Sequence, residues 1–150
     1  MSTLVLRLPY PPSVNHYWRH ARGRHYIDRP GQSYRTEVWA EVMRCREPQR
    51  VRNIFEGPLA VKVTAAPPDY AYRDIDNIHK ALFDSLKHAS VYVDDHQIIN
   101  LCSYWMEPRR DDPRVWVTID EIEAPEWWKR RADATLKRRR RAASTSSRAT

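Results

Sequence analysis

The chain has little of what would place it in an oxidising compartment, a membrane or a zinc centre. Its two cysteines, Cys45 and Cys102, are far apart and form no C-x-x-C pattern. Neither a disulfide framework nor a thiolate metal site is expected, and both read as reduced thiols. No apolar run approaches the roughly 20 residues that a membrane-spanning helix needs. The N-terminal MSTLVLRLPY has only a short apolar stretch with no basic segment before it, so a signal peptide is not expected. His16 and His20 are four residues apart, but they follow a proline-rich segment with no helical pattern, which argues against a zinc pair. No internal repeat is visible. A soluble, cytoplasmic protein without a membrane partner or zinc is the expectation. At 150 residues, one domain can bury its own core without covalent staples.

Charge is present in quantity and is unevenly placed. The net charge is +7, and residues 126–150 alone carry nine Lys/Arg against two acids. The remaining 125 residues balance at seventeen of each sign. Within them, residues 1–52 hold ten Arg against four acids, and residues 53–125 hold seven basic against thirteen acidic side chains. Basic flanks attract a polyanion and an acidic middle attracts a cation. A nucleic acid bound together with a divalent metal satisfies both.

The periodicities predict a small α+β domain. Leu4, Leu6 and Leu8 alternate as a strand that Pro9, Pro11 and Pro12 end. Residues 13–32 read as a long loop. Tyr34, Val38, Val42 and Cys45 form one stripe of a helix starting near Ser33 and closed by Pro48. Leu59, Val61 and Val63 alternate as a second strand, and a second helix is expected from Asp74 to about Ala89. Ile98–Met106 and the alternation Val115, Val117, Ile119 complete the order β-α-β-α-β-β, a small mixed sheet with two packed helices. The domain is expected over residues 1–123. Residues 124–150 are expected to be a basic extension, helical over about Glu126–Arg141 and then disordered.

The chemistry is concentrated in the acidic middle. Asp74 and Asp76 lead into the second helix. Asp76, Lys80 and Asp84 recur at four-residue steps along one face, so Asp76 and Lys80 are expected to be neighbours. A second pair, Asp94-Asp95, follows the helix, and a tight return can bring it beside the first. Carboxylates meeting in this way form a hard, all-oxygen site suited to magnesium or manganese rather than zinc, with a cation needed nearby to limit their mutual repulsion. Such a site serves phosphodiester hydrolysis, with Lys80 stabilising charge or orienting water. The alternative roles are plain ones: aspartates cap helix starts, and an Asp-Asp pair makes turns.

Asn15–Arg35 interleaves Tyr17, Trp18, His20, His25, Tyr26 and Tyr34 with Arg19, Arg22, Arg24, Arg29 and Arg35. Arginines supply phosphate contacts and aromatics stack on unpaired bases; the alternative is a satellite core beneath solvated arginines. The tail clusters Lys129–Arg131 and Lys137–Arg141 would add salt-sensitive affinity for DNA. Trp127 and Trp128 are expected to pack against the core, a second subunit or DNA.

The segments Arg73-Asp74-Ile75-Asp76-Asn77, Lys80, Phe83-Asp84, Leu86 and Val93-Asp94-Asp95, with Leu8-Pro9-Tyr10-Pro11-Pro12-Ser13-Val14-Asn15-His16-Tyr17-Trp18-Arg19 before them, resemble the RusA family of Holliday junction resolvases of bacteria and their phages. The likeness runs from about residue 3 to 122. It implies that Asp74, Asp76 and Asp95 bind magnesium (manganese as a substitute), that Lys80 is essential, and that Asp94 and Asn77 support them. It also implies a homodimer, which suits a two-fold symmetric junction cut by two paired nicks. Asn15, Tyr17, Arg19, Arg22, Arg24, Arg35 and Arg73 form the expected DNA-contacting set. Residues 46–58 and the tail from Ala124 lie outside the likeness. The expected activity is magnesium-dependent resolution of four-way junctions in recombination and repair. The alternatives are a broader nuclease of forks or flaps, or a DNA-binding protein that has lost catalysis.

Overall fold

The structure, a computed structural model, describes residues 1–21, 23–131 and 133–135. In chain order the elements are β1 (Thr3–Pro9), the one-turn helix α1 (Val14–Tyr17), β2 (Trp18–Ala21), β3 (Arg24–Ile27), α2 (Arg29–Arg46), β4 (Leu59–Ala66), α3 (His79–His88), β5 (Ile98–Trp105) and β6 (Arg114–Glu121). Two 3-10 turns, Ile75–Ile78 and Asp95–Gln97, precede α3 and β5. Residues 126–131 are helical; the expected continuation to Arg141 and the expected disorder beyond it fall outside the described residues. No described helix is long and apolar enough to cross a membrane.

The sheet is mixed, in the order β1-β6-β4-β5. Its alternating apolar residues stack in rows across three strands: Leu4, Ile119 and Val61; Leu6, Val117 and Val63; Leu8, Val115 and Ala65. Every one of these is buried. Tyr34, Val38 and Val42 of α2, with Ala81, Leu82 and Leu86 of α3, close the core they form. Each leucine so buried contributes about 1.5–3 kcal/mol relative to exposure. Because β4 and β5 are parallel, the chain must cross back over the sheet between them. That crossover carries α3 and both acidic segments.

Two expectations need correction. The segment read as a long loop is ordered as α1 followed by the β2–β3 hairpin, whose turn uses Gly23 at φ 73°, a conformation that glycine adopts without strain. α2 starts at Arg29, four residues before the expected start near Ser33, with Asp28 at its N-cap and a proline in its first turn. Gly31 lets this first turn lie against α1, since a Cβ there would stand 2.6 Å from Ile27 Cγ2 and 2.9 Å from Tyr17 Cδ2. Residues 46–58, a connection left unaligned in the sequence likeness, are firmly held. The Gln49 amide exchanges two hydrogen bonds with the Val5 backbone, at 2.7 and 2.6 Å, and Phe55 pairs with Tyr92.

Candidate metal and nucleic-acid site

The Asp94-Asp95 turn is built by a buried amide. Gln97 accepts hydrogen bonds from the Val93 and Asp94 backbone N–H groups at 2.7 and 2.8 Å. It donates to the Phe55 and Gly57 carbonyls, both at 2.9 Å. Asp94 caps this turn by accepting from the Asp95 N–H, and it pairs with Lys87 at 2.9 Å. The Lys87 ammonium holds its carboxyl down at about 2.

Its neighbour has the opposite character. Asp95 is half-buried, and burial, then the nearby Asp84 charge, raises its carboxyl above the ordinary value. Its Oδ1 is buried without a hydrogen-bond partner among the described residues. Asp94 is thus committed to local structure, and Asp95 presents an uncommitted oxygen.

Asp84 is the residue the sequence reading left out of the candidate set, although it stands at the four-residue step after Lys80. Lys80 Nζ donates to Asp84 Oδ1 at 2.9 Å. The other oxygen, Oδ2, is buried and unpartnered among the described residues. Lys80 also feels Asp95, and these carboxylates together raise its pKa, with the Asp84 hydrogen bond leading. Asp76 lies in the 3-10 turn that runs into α3, and the Lys80 ion pair forms with Asp84, one turn onward.

Asp74 takes the N-cap position with extended backbone (φ −77°, ψ 131°), and its carbonyl accepts from the Asn77 N–H at 3.2 Å. A cleft of about 540 Å³ opens beside it, lined among others by Tyr10, Ser13, His16, Arg73, Asp74 and Asn77. The Arg73 guanidinium is held by Asp69 Oδ1 at 2.6 Å and the Ala71 carbonyl at 3.0 Å. His79 joins this end of α3 to the sheet, its Nε2 lying 2.7 Å from the Ser103 hydroxyl.

The two acidic segments flank α3 in the chain. Asp74 and Asp76 precede its first turn, and Asp95, in the turn that follows the helix, feels Asp84, Lys80 and Lys87. Among the described residues, no group of three or more His, Cys, Asp or Glu stands at metal-holding spacing. Lys80 lies between the two segments. The donor chemistry still fits a hard divalent cation: every donor is a carboxylate, and two buried carboxylate oxygens lack partners.

The expected DNA-contacting set divides. Tyr17 is fully buried, and its hydroxyl accepts from Arg35 Nε at 2.8 Å, so this pair braces α1 against α2 and Tyr17 offers no stacking surface. Arg24 and Asn15 are exposed. Arg19 is exposed too, tethered to Asp28 at 2.8 Å. Arg22 falls outside the described residues. In the C-terminal helix Trp128 stacks on His96 at 5.8 Å, which packs the start of the extension beside the Asp94-Asp95 turn. Trp127 meets Trp128 edge-on and stays half exposed.

Residues 9–120 match the family model described as endodeoxyribonuclease RusA. The crossover junction endodeoxyribonuclease RusA of Escherichia coli (strain K12) is 37% identical over 123 residues, covering 81% of this chain and 98% of that protein. The protein of the same name from Enterobacteria phage HK97 is 46% identical over 91 residues, covering 60% of this chain and 72% of its own length. That of Enterobacteria phage 82 is 37% identical over 122 residues. The candidate carboxylates and Lys80 all fall within the matched span, and the chain belongs to the RusA family of endodeoxyribonucleases.

Proposed function

We propose that this protein is a magnesium-dependent endonuclease that resolves four-way DNA junctions by paired, symmetric nicks, acting as a homodimer. Membership in the family carries the class of reaction. The observation that carries the site is the pairing of Lys80 with a carboxylate group that includes an uncommitted, half-buried Asp95. Asp74, Asp76 and Asp95 are the residues that would hold the cation. When bound, a divalent cation supplies a Lewis acid that withdraws charge from the scissile phosphate and favours attack by water.

The chain's own residues do the rest. Lys80, kept charged by Asp84, offers a donor for a phosphate oxygen as negative charge develops in the transition state. Asp94 and Gln97 fix the turn from which Asp95 projects. Asn77 and Arg73 border the cleft beside Asp74, where the backbone of the cleaved strand would run. Arg19 and Arg24 on the hairpin, with Asn15, are the surface groups placed to take phosphates further along the DNA arms.

The test is incubation with labelled four-way junction, replication fork and linear duplex, in magnesium and in chelator. Symmetric nicking of the junction alone, lost in chelator, supports the proposal. Cleavage of all three substrates replaces it with a broader nuclease. Binding without cleavage in magnesium or manganese overturns the enzymatic reading.

A further inference from the structure

Past the carboxyl ends of the parallel strands β4 and β5, the chain continues as two neighbouring segments, residues 67–73 and 106–109. Backbone hydrogen bonds hold them together: the Met106 N–H donates to the Ala65 carbonyl and the Arg109 N–H to the Pro67 carbonyl, both at 2.8 Å. Between them lies a slot of about 210 Å³, walled by Pro67, Tyr70, Tyr72, Trp105, Met106 and Pro108. Asp69 and Arg73 supply its charged groups. The slot is smaller than the about 300–1,000 Å³ of pockets that take drug-sized ligands, and is on the scale of a single ring system.

The fold makes little use of this apolar surface. Tyr70 and Tyr72 are exposed by 79 and 107%, and Trp105 and Met106 by 39 and 40%. Neither tyrosine ring pairs with another aromatic ring among the described residues. The loop that carries them is nonetheless fixed. Asp69 Oδ1 accepts from the Ala71 N–H at 2.9 Å and from Arg73 Nη1 at 2.6 Å, and the Tyr70 hydroxyl donates to Glu107 on the opposite segment. Arg73 spends only Nη1 on these bonds, so its Nε and Nη2 have no partner among the described residues. Open ring faces on a braced loop are what base stacking requires, and a guanidinium with free donors can read acceptors on a base edge.

We propose that this slot takes one unstacked nucleobase of the DNA beside the crossover, stacked on the Tyr70 and Tyr72 rings with the free donors of Arg73 at its edge. The occupant is DNA because the slot adjoins the candidate cleavage cleft. Tyr72 and Arg73 line both, and the cleft continues to Asp74 and Asn77. A strand whose phosphate lies at Asp74 therefore has a neighbouring base within reach of Tyr72. Arg110, close enough to act on the Asp69 charge, gives the rim a further cation for a flanking phosphate. The inference rests on the junction-resolving reading for its substrate and adds a source of selectivity to it. Unstacking a base costs least where pairing is already disturbed, as at a branch point, so such a slot favours junctions over linear duplex. It also moves base stacking from residues 15–35, where Tyr17 proves to be buried, to the loop that leads into Asp74.

The experiment reads binding and not cutting, so its failure is separate from failure of the nuclease. Four-way junctions carrying 2-aminopurine at single positions around the crossover are titrated with the full-length protein in chelator, beside a linear duplex of the same sequence. The expected result is a position next to the crossover whose emission changes on binding, with no such position in the duplex. Tyr72→Ala should remove that change and weaken junction binding by about ten- to a hundredfold, leaving duplex binding unaltered. Tyr70→Ala should act in the same direction, and Tyr72→Phe, which keeps the ring, should match wild type. Both tyrosines are exposed, so each variant should fold, checked by circular dichroism. A bound junction whose emission is the same at every position for wild type and Tyr72→Ala overturns the slot and leaves the nuclease standing. So does equal weakening on junction and duplex, or junction binding by both alanine variants as tight as that of wild type. A wild type that binds no junction overturns the slot and the junction-resolving reading together.

Discussion

Gln97 is the residue on which the placement of the second acidic pair depends most, and removing its amide has a calculable cost. Its four hydrogen bonds serve the backbone of Val93, Asp94, Phe55 and Gly57, and the side chain is only 2% exposed. Gln97→Ala leaves four backbone groups without these partners. A net loss of about 1 kcal/mol per bond, eased where water can enter and greater at the buried Phe55 carbonyl, gives about 3–4 kcal/mol. With a urea dependence of about 2 kcal/mol/M for a domain of this size, the midpoint should fall by about 1.5–2 M. Gln97→Met separates the polar loss from the cavity, because it preserves volume while deleting both amide functions. It should fall nearly as far. Urea titrations followed by tryptophan fluorescence, at one fixed protein concentration so that any self-association is held constant, provide the measurement. If both variants moved the midpoint by less than about 0.5 M, the four backbone groups would have other partners and the strut would be refuted.

Three further outcomes are expected. Lys80→Met should cost only about 0.5 kcal/mol in urea stability, because its pair with Asp84 is half exposed on the lysine side, yet it should abolish nicking of a four-way junction; equal loss of both would make Lys80 a structural residue. Deleting residues 124–150, which carry nine basic side chains against two acids, should weaken junction binding and flatten its salt dependence, by about 0.9 in the logarithmic slope for each phosphate that the tail no longer neutralises, and binding unchanged at every salt concentration would show the tail to be a bystander. Asp94, whose carboxyl is lowered from 3.8 to about 2 by Lys87 and the cap, contributes stability that is present above 3.8 and is lost as pH falls toward about 2. Asp94→Asn should flatten the acid limb of the stability curve over that window, and an unaltered limb would contradict the assignment.

What the sequence made legible follows from how strongly each feature is constrained by burial. The strands of the main sheet could be read because Leu4, Leu6 and Leu8, and Val115, Val117 and Ile119, each put one face into the core. The β2–β3 hairpin escaped because its strands are four residues long and mostly exposed, so no alternation marks them; Gly23 was the only signal. The start of α2 was hidden for a similar reason, since its first turn carries a capping Asp28 and a proline but no apolar stripe. At the site, the four-residue spacing put Lys80 and Asp84 on one face of α3, where the ion pair forms. Tyr17 looked like a stacking surface beside arginines, and burial made it a core residue instead. Gln97 carries only the local signature of a capping box, Asp94 followed three residues on by a glutamine; its two bonds to Phe55 and Gly57 depend on a connection, residues 46–58, that has no periodicity to place it.

The central claim is that this end of the crossover cuts DNA and that Asp95 takes part through its free carboxylate. The most direct measurement compares wild type and Asp95→Asn on the same end-labelled four-way junction in magnesium, scoring binding by gel shift and nick positions by sequencing gel. The account predicts symmetric paired nicks by wild type, and undiminished binding with no nicks by Asp95→Asn. Nicking by Asp95→Asn at the wild-type rate and positions would contradict it.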